Sequence, residues 1–255
     1  MNIIVPVKLV PDLVEELTID ASGRALDPTY MRLKLNEFDD HAIEQAILLK
    51  ERHGCHVAVL APNLEGVDEV LYTAAAKGCD RLIKLMGNFR EEVNNHALAR
   101  LFAAIIQDLK SDLILTGVQA HNDLDGSLGP LLAETMGLPY IGYVAGVTLP
   151  NQENARLRKE YRGGLIGEME VRLPAVLGIQ AADEPIRYVA FSKIRQAMKS
   201  ANLEEQLVGE IVLSGGPRID RLFQPESGSR AEMIHGDADE VAARLMDIFT
   251  AAGVI

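Results

Sequence analysis

The chain has 255 residues, with 25 Lys and Arg against 37 Asp and Glu, a formal net charge of -12. That length suits one large domain or a domain with an arm, and 48% hydrophobic with 24% charged residues reads as globular, not disordered. The acidic balance argues against non-specific nucleic-acid binding, which needs clustered Lys and Arg, and 5% aromatics with no Trp argue against a stacking surface for single strands.

Residues 2–7 form a short β-branched run suited to a buried parallel strand. It is too short and uncharged for a signal peptide, and no apolar run approaches the roughly 18 residues of a membrane span. Residues 11–30, with Pro11, Gly23 and Pro28, read as a loop with a small hairpin. Asn36 opens a helix as N-cap; Glu37, Asp39 and Asp40 sit in its first turn, where acids complement the helix dipole, and Gly54 closes it. A strand over 57–60, a helix over 65–77 and a strand over 81–85 follow. Asn94 or Asn95 caps the next helix, and 112–116 is a fourth strand. The alternation predicts a parallel sheet with helices on both faces, with ligands beyond the carboxyl ends of the strands where strand order reverses.

After residue 137 the pattern changes. Segments 140–148, 155–161, 168–173 and 175–180 read as four strands in a meander. Residues 192–205 read as helical, 214–230 as an exposed linker, and Asp237 with Glu240 starts a last amphipathic helix. The fold class is α/β: a parallel-sheet, Rossmann-like domain over 1–184, then an apolar-plus-basic stretch and C-terminal arm over 185–255.

The most informative stretch is 116–130, which leaves a strand and enters a helix. Gly126 and Gly129 remove Cβ obstruction, and the N–H groups at 126–129 with the Ser127 hydroxyl form an anion site. The plain alternative is an ordinary loop with Ser or Asp as helix cap. Neither the dinucleotide fingerprint nor the P-loop pattern is present. Asp123 and Asp125 sit awkwardly beside a phosphate, so they point outward, bind ribose hydroxyls or face a cation.

The six histidines are scattered without ligand spacing, and no Gly-x-Ser-x-Gly elbow occurs. Cys55 and Cys79 form neither a metal pattern nor a disulfide framework, which points to a reducing, cytoplasmic setting. Residues 185–199 combine apolar and basic side chains, either a docking anchor with a charged rim or a packed helix with a solvated basic face.

Taken in order, Val7-Lys8 with Val10-Pro11-Asp12, Asn36-Glu37-Phe38-Asp39, Gly78-Cys79-Asp80-Arg81, Leu115-Thr116-Gly117-Val118-Gln119 with Gly129-Pro130, Glu160-Tyr161-Arg162-Gly163-Gly164 and Leu173-Pro174-Ala175-Val176 resemble the β subunits of electron transfer flavoproteins over nearly the whole chain. The resemblance implies an electron-carrier subunit without substrate chemistry of its own. It would form a heterodimer with an α subunit that carries most contacts to a redox FAD, and itself bind AMP or a second FAD. Electrons would pass to or from an acyl-CoA-type dehydrogenase or a quinone oxidoreductase.

By position, the nucleotide would meet Pro6 and Lys8, Asn36, Pro62 and Asn63, then Gly117, Gln119, Gly126, Ser127, Leu128 and Gly129. Phe38 would approach the α-subunit flavin, and the partner loop would comprise Phe191, Lys193, Ile194 and Arg195.

Departures accompany the resemblance. Ser127 and Leu128 replace the family's usual Gln and Thr or Ser, removing donors, and Asp125 adds negative charge. Phe191 stands where Leu is usual, and an extra residue separates Pro185 from Arg187. The tail over 233–255 resembles the longer subunits linked to electron bifurcation or nitrogen fixation. AMP and FAD therefore both stay open. Two other readings on a related fold are a stand-alone adenine-nucleotide-binding protein of universal-stress type and an adenylating enzyme. The latter would need a Ser-Gly-Gly-x-Asp-Ser loop where Lys8-Leu9-Val10-Pro11-Asp12 stands.

Overall fold

A computed structural model of the chain describes residues 1–89, 93–124, 126–225 and 231–255. These divide into two compact units, Met1–Arg221 and Leu222–Ile255.

In the first unit a nine-stranded sheet runs in the order β11-β5-β4-β1-β6-β10-β7-β8-β9. Its first half is built of βα steps: β1 (Asn2–Pro6), α1 (Glu37–His53), β4 (His56–Pro62), α2 (Val67–Lys77), β5 (Arg81–Met86), α3 (Asn95–Asp108), β6 (Leu113–Gly117) and α4 (Leu128–Met136). Between β1 and α1 a short antiparallel pair, β2 (Leu9–Pro11) and β3 (Leu33–Leu35), lies outside the main sheet. An isolated bridge between Ile19 and Leu26 forms the small hairpin expected there.

Alternation along the strands feeds two cores. Ile3 and Val5 of β1 join Ile43, Ile47 and Leu71 on the face covered by α1 and α2. Ile4 points the other way, with Leu60, Phe102, Ile106 and Leu132, beneath α3 and α4. The chain builds β4 and β5 on one side of β1, then crosses through α3 to place β6 on the other. Strand order therefore reverses between β1 and β6, and open α/β sheets take their ligands beyond the carboxyl ends of the strands at such a reversal.

The second half departs from a simple meander. β7 (Tyr140–Thr148), β8 (Asn154–Glu160) and β9 (Ile166–Arg172) are successively antiparallel. The fourth strand, β10 (Ala175–Ile179), instead turns back and inserts parallel between β6 and β7. Its sequence, all apolar or Gly and fully buried, suits a central strand better than a meander edge.

The expected helix over 192–205 is also corrected. α5 (Phe191–Ser200) ends at Ala201, and β11 (Leu203–Leu207) joins the sheet edge parallel to β5. Leu203 and Leu207 stand four residues apart around Glu204-Glu205-Gln206, a spacing that reads as continuing helix.

The second unit contains α6 (Ala238–Ala251), capped by Asp237 and Glu240 in a reciprocal capping box as the sequence predicts. The expected linker is without regular structure over 214–225; its residues 226–230 lie outside the described residues. Among the described residues no helix is long and apolar enough to cross a membrane.

Candidate functional site

The space beyond this reversal, termed the crevice below, is bordered by the turn after β1, the start of α1 and the loop after β6. Asn36 occupies the N-cap position of α1, but its side chain makes no cap bond. Its Nδ2 donates instead to the Gln119 carbonyl at 2.9 Å, and its N–H donates to the Lys8 carbonyl at 3.0 Å. Lys8, Asn36 and Gln119 are thus joined directly.

Asp39, one turn into α1, faces inward and is buried. Oδ2 accepts the Lys8 N–H at 2.7 Å and Oδ1 accepts the Gly117 N–H at 2.8 Å. A Cβ on Gly117 would lie 2.4 Å from Asp39 Oδ1 and 2.8 Å from both Asp39 N and the Phe38 carbonyl carbon, so only glycine fits. Burial pushes the Asp39 carboxyl up to about 6, against the pull of the two N–H groups and the Lys8 charge.

The loop beyond Gly117 is held by Asp123. Its Oδ2 accepts the Ala120 N–H at 2.7 Å, while Oδ1 accepts from Lys8 Nζ at 2.6 Å and Asn95 Nδ2 at 2.7 Å. Asn95 also donates to the Gly126 carbonyl at 2.7 Å and accepts from Lys8 Nζ at 3.0 Å. Asp123 therefore faces a cation, one of the three placements the sequence leaves open. Asp125 lies outside the described residues.

Gly126 and Gly129 play different parts. Gly126, at φ +92°, is exposed and has nothing within 4 Å of where a Cβ would sit. Gly129 instead allows α4 to close on the sheet: a Cβ there would lie 2.7 Å from Thr116 Oγ1 and 2.8 Å from the Tyr140 ring. Ser127 occupies the N-cap position of α4 without a side-chain cap bond, and its hydroxyl has no hydrogen-bond partner among the described residues. The N–H groups of Leu128 and Gly129 in the first turn have no intrahelical acceptor. These donors, with the open side of Gly126, make a cradle that fits a phosphate.

Pro6 ends β1 beside Lys8, and Phe38 is half-buried at the start of α1. Pro62 and Asn63 lie at the end of β4, one strand over, where the Asn63 N–H donates to Leu85. Among the described residues no hydrogen bond joins them to the 117–129 loop. Asn95 and Asp123 were legible only as a cap and an awkward loop acid, and Asp39 as a helix-start charge. Their inward roles depend on contacts 28 to 115 residues apart in sequence.

The residues expected to form a partner loop lie on α5 and the chain before it. Arg187 Nε donates to buried Glu44 at 2.8 Å, its guanidinium grips Glu51 at 2.6 and 3.0 Å, and its N–H meets Glu44 at 3.1 Å. Arg52 holds Asp183 and Glu184 at 2.9 and 3.0 Å. Arg187 draws the Glu51 carboxyl below its ordinary range. From this mount α5 packs along α2, burying Ala197 and half-burying Ile194. Phe191 is exposed under the Arg195 guanidinium, 4.8 Å from its ring centroid, and Lys193 is exposed beside it.

Elsewhere, both cysteines are buried, and burial pushes the Cys79 thiol up to about 12, unsuited to nucleophilic work. Among the described residues no group of three His, Cys, Asp or Glu is placed to hold a metal ion.

Comparison with known proteins agrees with this architecture. Residues 27–208 match the family model described as the electron transfer flavoprotein domain. The electron transfer flavoprotein subunit beta of Methylophilus methylotrophus is 32% identical over 97% of both chains. That of Clostridium acetobutylicum is 29% identical over 95% of both. Protein FixA of Azorhizobium caulinodans is 25% identical, covering 98% of this chain and 94% of its own.

Proposed function

Since the chain belongs to the β-subunit family of electron transfer flavoproteins, we propose that it is the nucleotide-holding half of a cytoplasmic heterodimer whose α subunit carries most contacts to FAD. The observation that carries the nucleotide reading is the crevice between Lys8 and the 117–129 loop, with uncommitted donors at Ser127, Leu128 and Gly129. An adenylate phosphate sits at the first turn of α4, with Gly126 giving close main-chain approach. Asn36 and Gln119 line the sugar or base side, and Pro6, Pro62 and Asn63 border it along the strand ends. Lys8 stabilises the loop through Asp123 instead of confronting the phosphate as a free charge.

AMP is the favoured occupant over a second FAD, because Leu128 offers no hydroxyl and Ser127 alone supplies a side-chain donor in the first-turn cradle. The redox chemistry is supplied by the flavin when it is bound. This chain contributes position: Phe38 borders the flavin ring, and Phe191 with Lys193, Ile194 and Arg195 docks an acyl-CoA-type dehydrogenase or a quinone oxidoreductase.

Co-expression with the α subunit tests the reading. A yellow complex is expected only from the pair, and mass spectrometry of the heat-released nucleotide should find AMP. Ser127→Asp should empty the β-chain site by charge repulsion while FAD content stays. A colourless pair, or full AMP retention in the variant, would overturn it.

A further inference from the structure

Asp39 stands apart from its neighbours in the first turn of α1. Glu37 is exposed, and Asp40 is engaged by Lys77 from α2. Asp39 alone of the three is turned inward, only 3% exposed. It accepts one N–H from the chain leaving β1 and one from the chain leaving β6, with a different oxygen for each. These are the two strand ends whose separation defines the crevice. A carboxylate is the only side chain of this size with two acceptor oxygens; Asn would present an oxygen to one N–H and a donor to the other. Gly117 lets the carboxylate come this close.

We propose that Asp39 is the positioning residue of the nucleotide crevice: it fixes the spacing between Lys8 and Gly117, and so sets the opening in which the adenylate is held. The inference rests on the crevice being the nucleotide site. Burying an ion that prefers its proton up to about pH 6 works against the fold at neutral pH, so the carboxylate is not explained by stability. It is explained by the need for two acceptors at one point.

Several charged or titratable groups lie on the elements packed against this end of α1. They are Lys8 after β1, Lys77 on α2, His121 and Asp123 after β6, Asp183 after β10, and Glu37, Asp40 and His41 on α1 itself. His41 receives the Ala182 N–H, and Asp183 pairs with Arg52 and Arg158. Lys8 and Asp123 pair with each other. His121 is exposed and has to be removed before acid effects are assigned to Asp39.

The test uses the co-expressed two-subunit complex, stripped of nucleotide, with calorimetric titration of AMP at pH 8. Asp39→Asn should weaken AMP at least tenfold and speed amide exchange in peptides holding Lys8 and Gly117, while exchange in the rest of the chain stays that of the parent. Unchanged affinity overturns the proposal, as does a loss of affinity matched by a general loss of stability and exchange protection. If the variant does not assemble, the His121→Gln complex decides, titrated with adenosine, which has no phosphate to protonate. Its affinity should fall several-fold between pH 8 and 5.5, and a flat profile overturns the proposal. A parent complex that binds neither AMP nor adenosine removes the crevice reading and this inference together, whereas a parent that binds and a variant that matches it removes the inference alone.

Discussion

The two candidate surfaces of the first unit differ in which contacts predominate, though the crevice also holds the Lys8–Asp123 ion pair and the α5 mount also uses the Arg187 N–H. At the crevice, buried or half-buried side chains reach main-chain groups: Asp39 to Lys8 and Gly117, Asp123 to Ala120, Asn95 to Gly126. At the α5 mount, side chain meets side chain: Arg187 to Glu44 and Glu51, Arg52 to Asp183 and Glu184. The difference follows from the task. A crevice that offers N–H groups to a small anion needs its backbone fixed to a fraction of an ångström. A docking face needs only a firm base, with its apolar anchor left free for a partner. Ion pairs at a partly wet surface supply such a base and stay sensitive to salt, while the buried main-chain bonds do not.

The largest effect should come from the mount. Glu44 is buried at 2% exposure, and Arg187 is its cationic partner. Arg187→Ala strands that carboxylate, an error that costs about 3 kcal/mol. Urea unfolding of the complex should show the loss, and limited proteolysis should cut within 183–200. Nucleotide content should not change. Loss of nucleotide as well would mean the two regions are not independent, and the comparison would break.

Next comes Gly117→Ala at the crevice. The added methyl meets the Asp39 carboxylate and the α1 main chain below van der Waals distance, so α1 or β6 must shift. Overpacking of this kind costs roughly 2 kcal/mol. Here nucleotide affinity should fall together with the denaturation midpoint, while the protease pattern of 183–200 stays that of the parent. A variant that keeps both affinity and midpoint would show that the two strand ends have slack, and the distinction between a fixed crevice and a looser mount would lose its basis.

These contacts mark where sequence reasoning stops. The βα rhythm from Asn2 to Met136, a cap at Asn94 or Asn95 that the structure gives to Asn94, and the Asp237 cap are legible because propensity, patterning and capping act locally. The insertion of β10 between β6 and β7 is not, because a buried apolar strand reads the same whichever neighbours it finds. β11 is not legible either, because Leu203-Glu204-Glu205-Gln206-Leu207 keeps its two apolar residues at helical spacing directly after a helix. Asn36 was rightly placed at a helix start, yet its side chain serves the Gln119 carbonyl instead of its own helix. Asp39 shows the same gap: the position on the helix was readable, the two amides it joins were not. Local rules place a residue on an element, and only the topology decides which distant loop it meets.

The smallest effect on the fold, and the sharpest on function, belongs to Phe191. Its ring is 58% exposed, and its one ring partner among the described residues is Arg195 on the same helix. Phe191→Ala removes a cation–π contact on a wet surface, worth about 0.5 kcal/mol, and leaves the Ala197 side of α5 in place. The unfolding midpoint and nucleotide content should therefore match the parent. Docking is another matter, since an exposed aromatic anchor contributes about 2 kcal/mol to an interface, or roughly thirtyfold in affinity. Stopped-flow reduction of the complex by an acyl-CoA-type dehydrogenase, followed against dehydrogenase concentration, separates the two. The half-saturating concentration should rise by about that factor, while the rate at saturation holds, as expected of a side chain that acts on docking alone. An unchanged half-saturation would remove Phe191 from the docking face and reduce the Arg187 mount to a fixture of the fold with no surface to present.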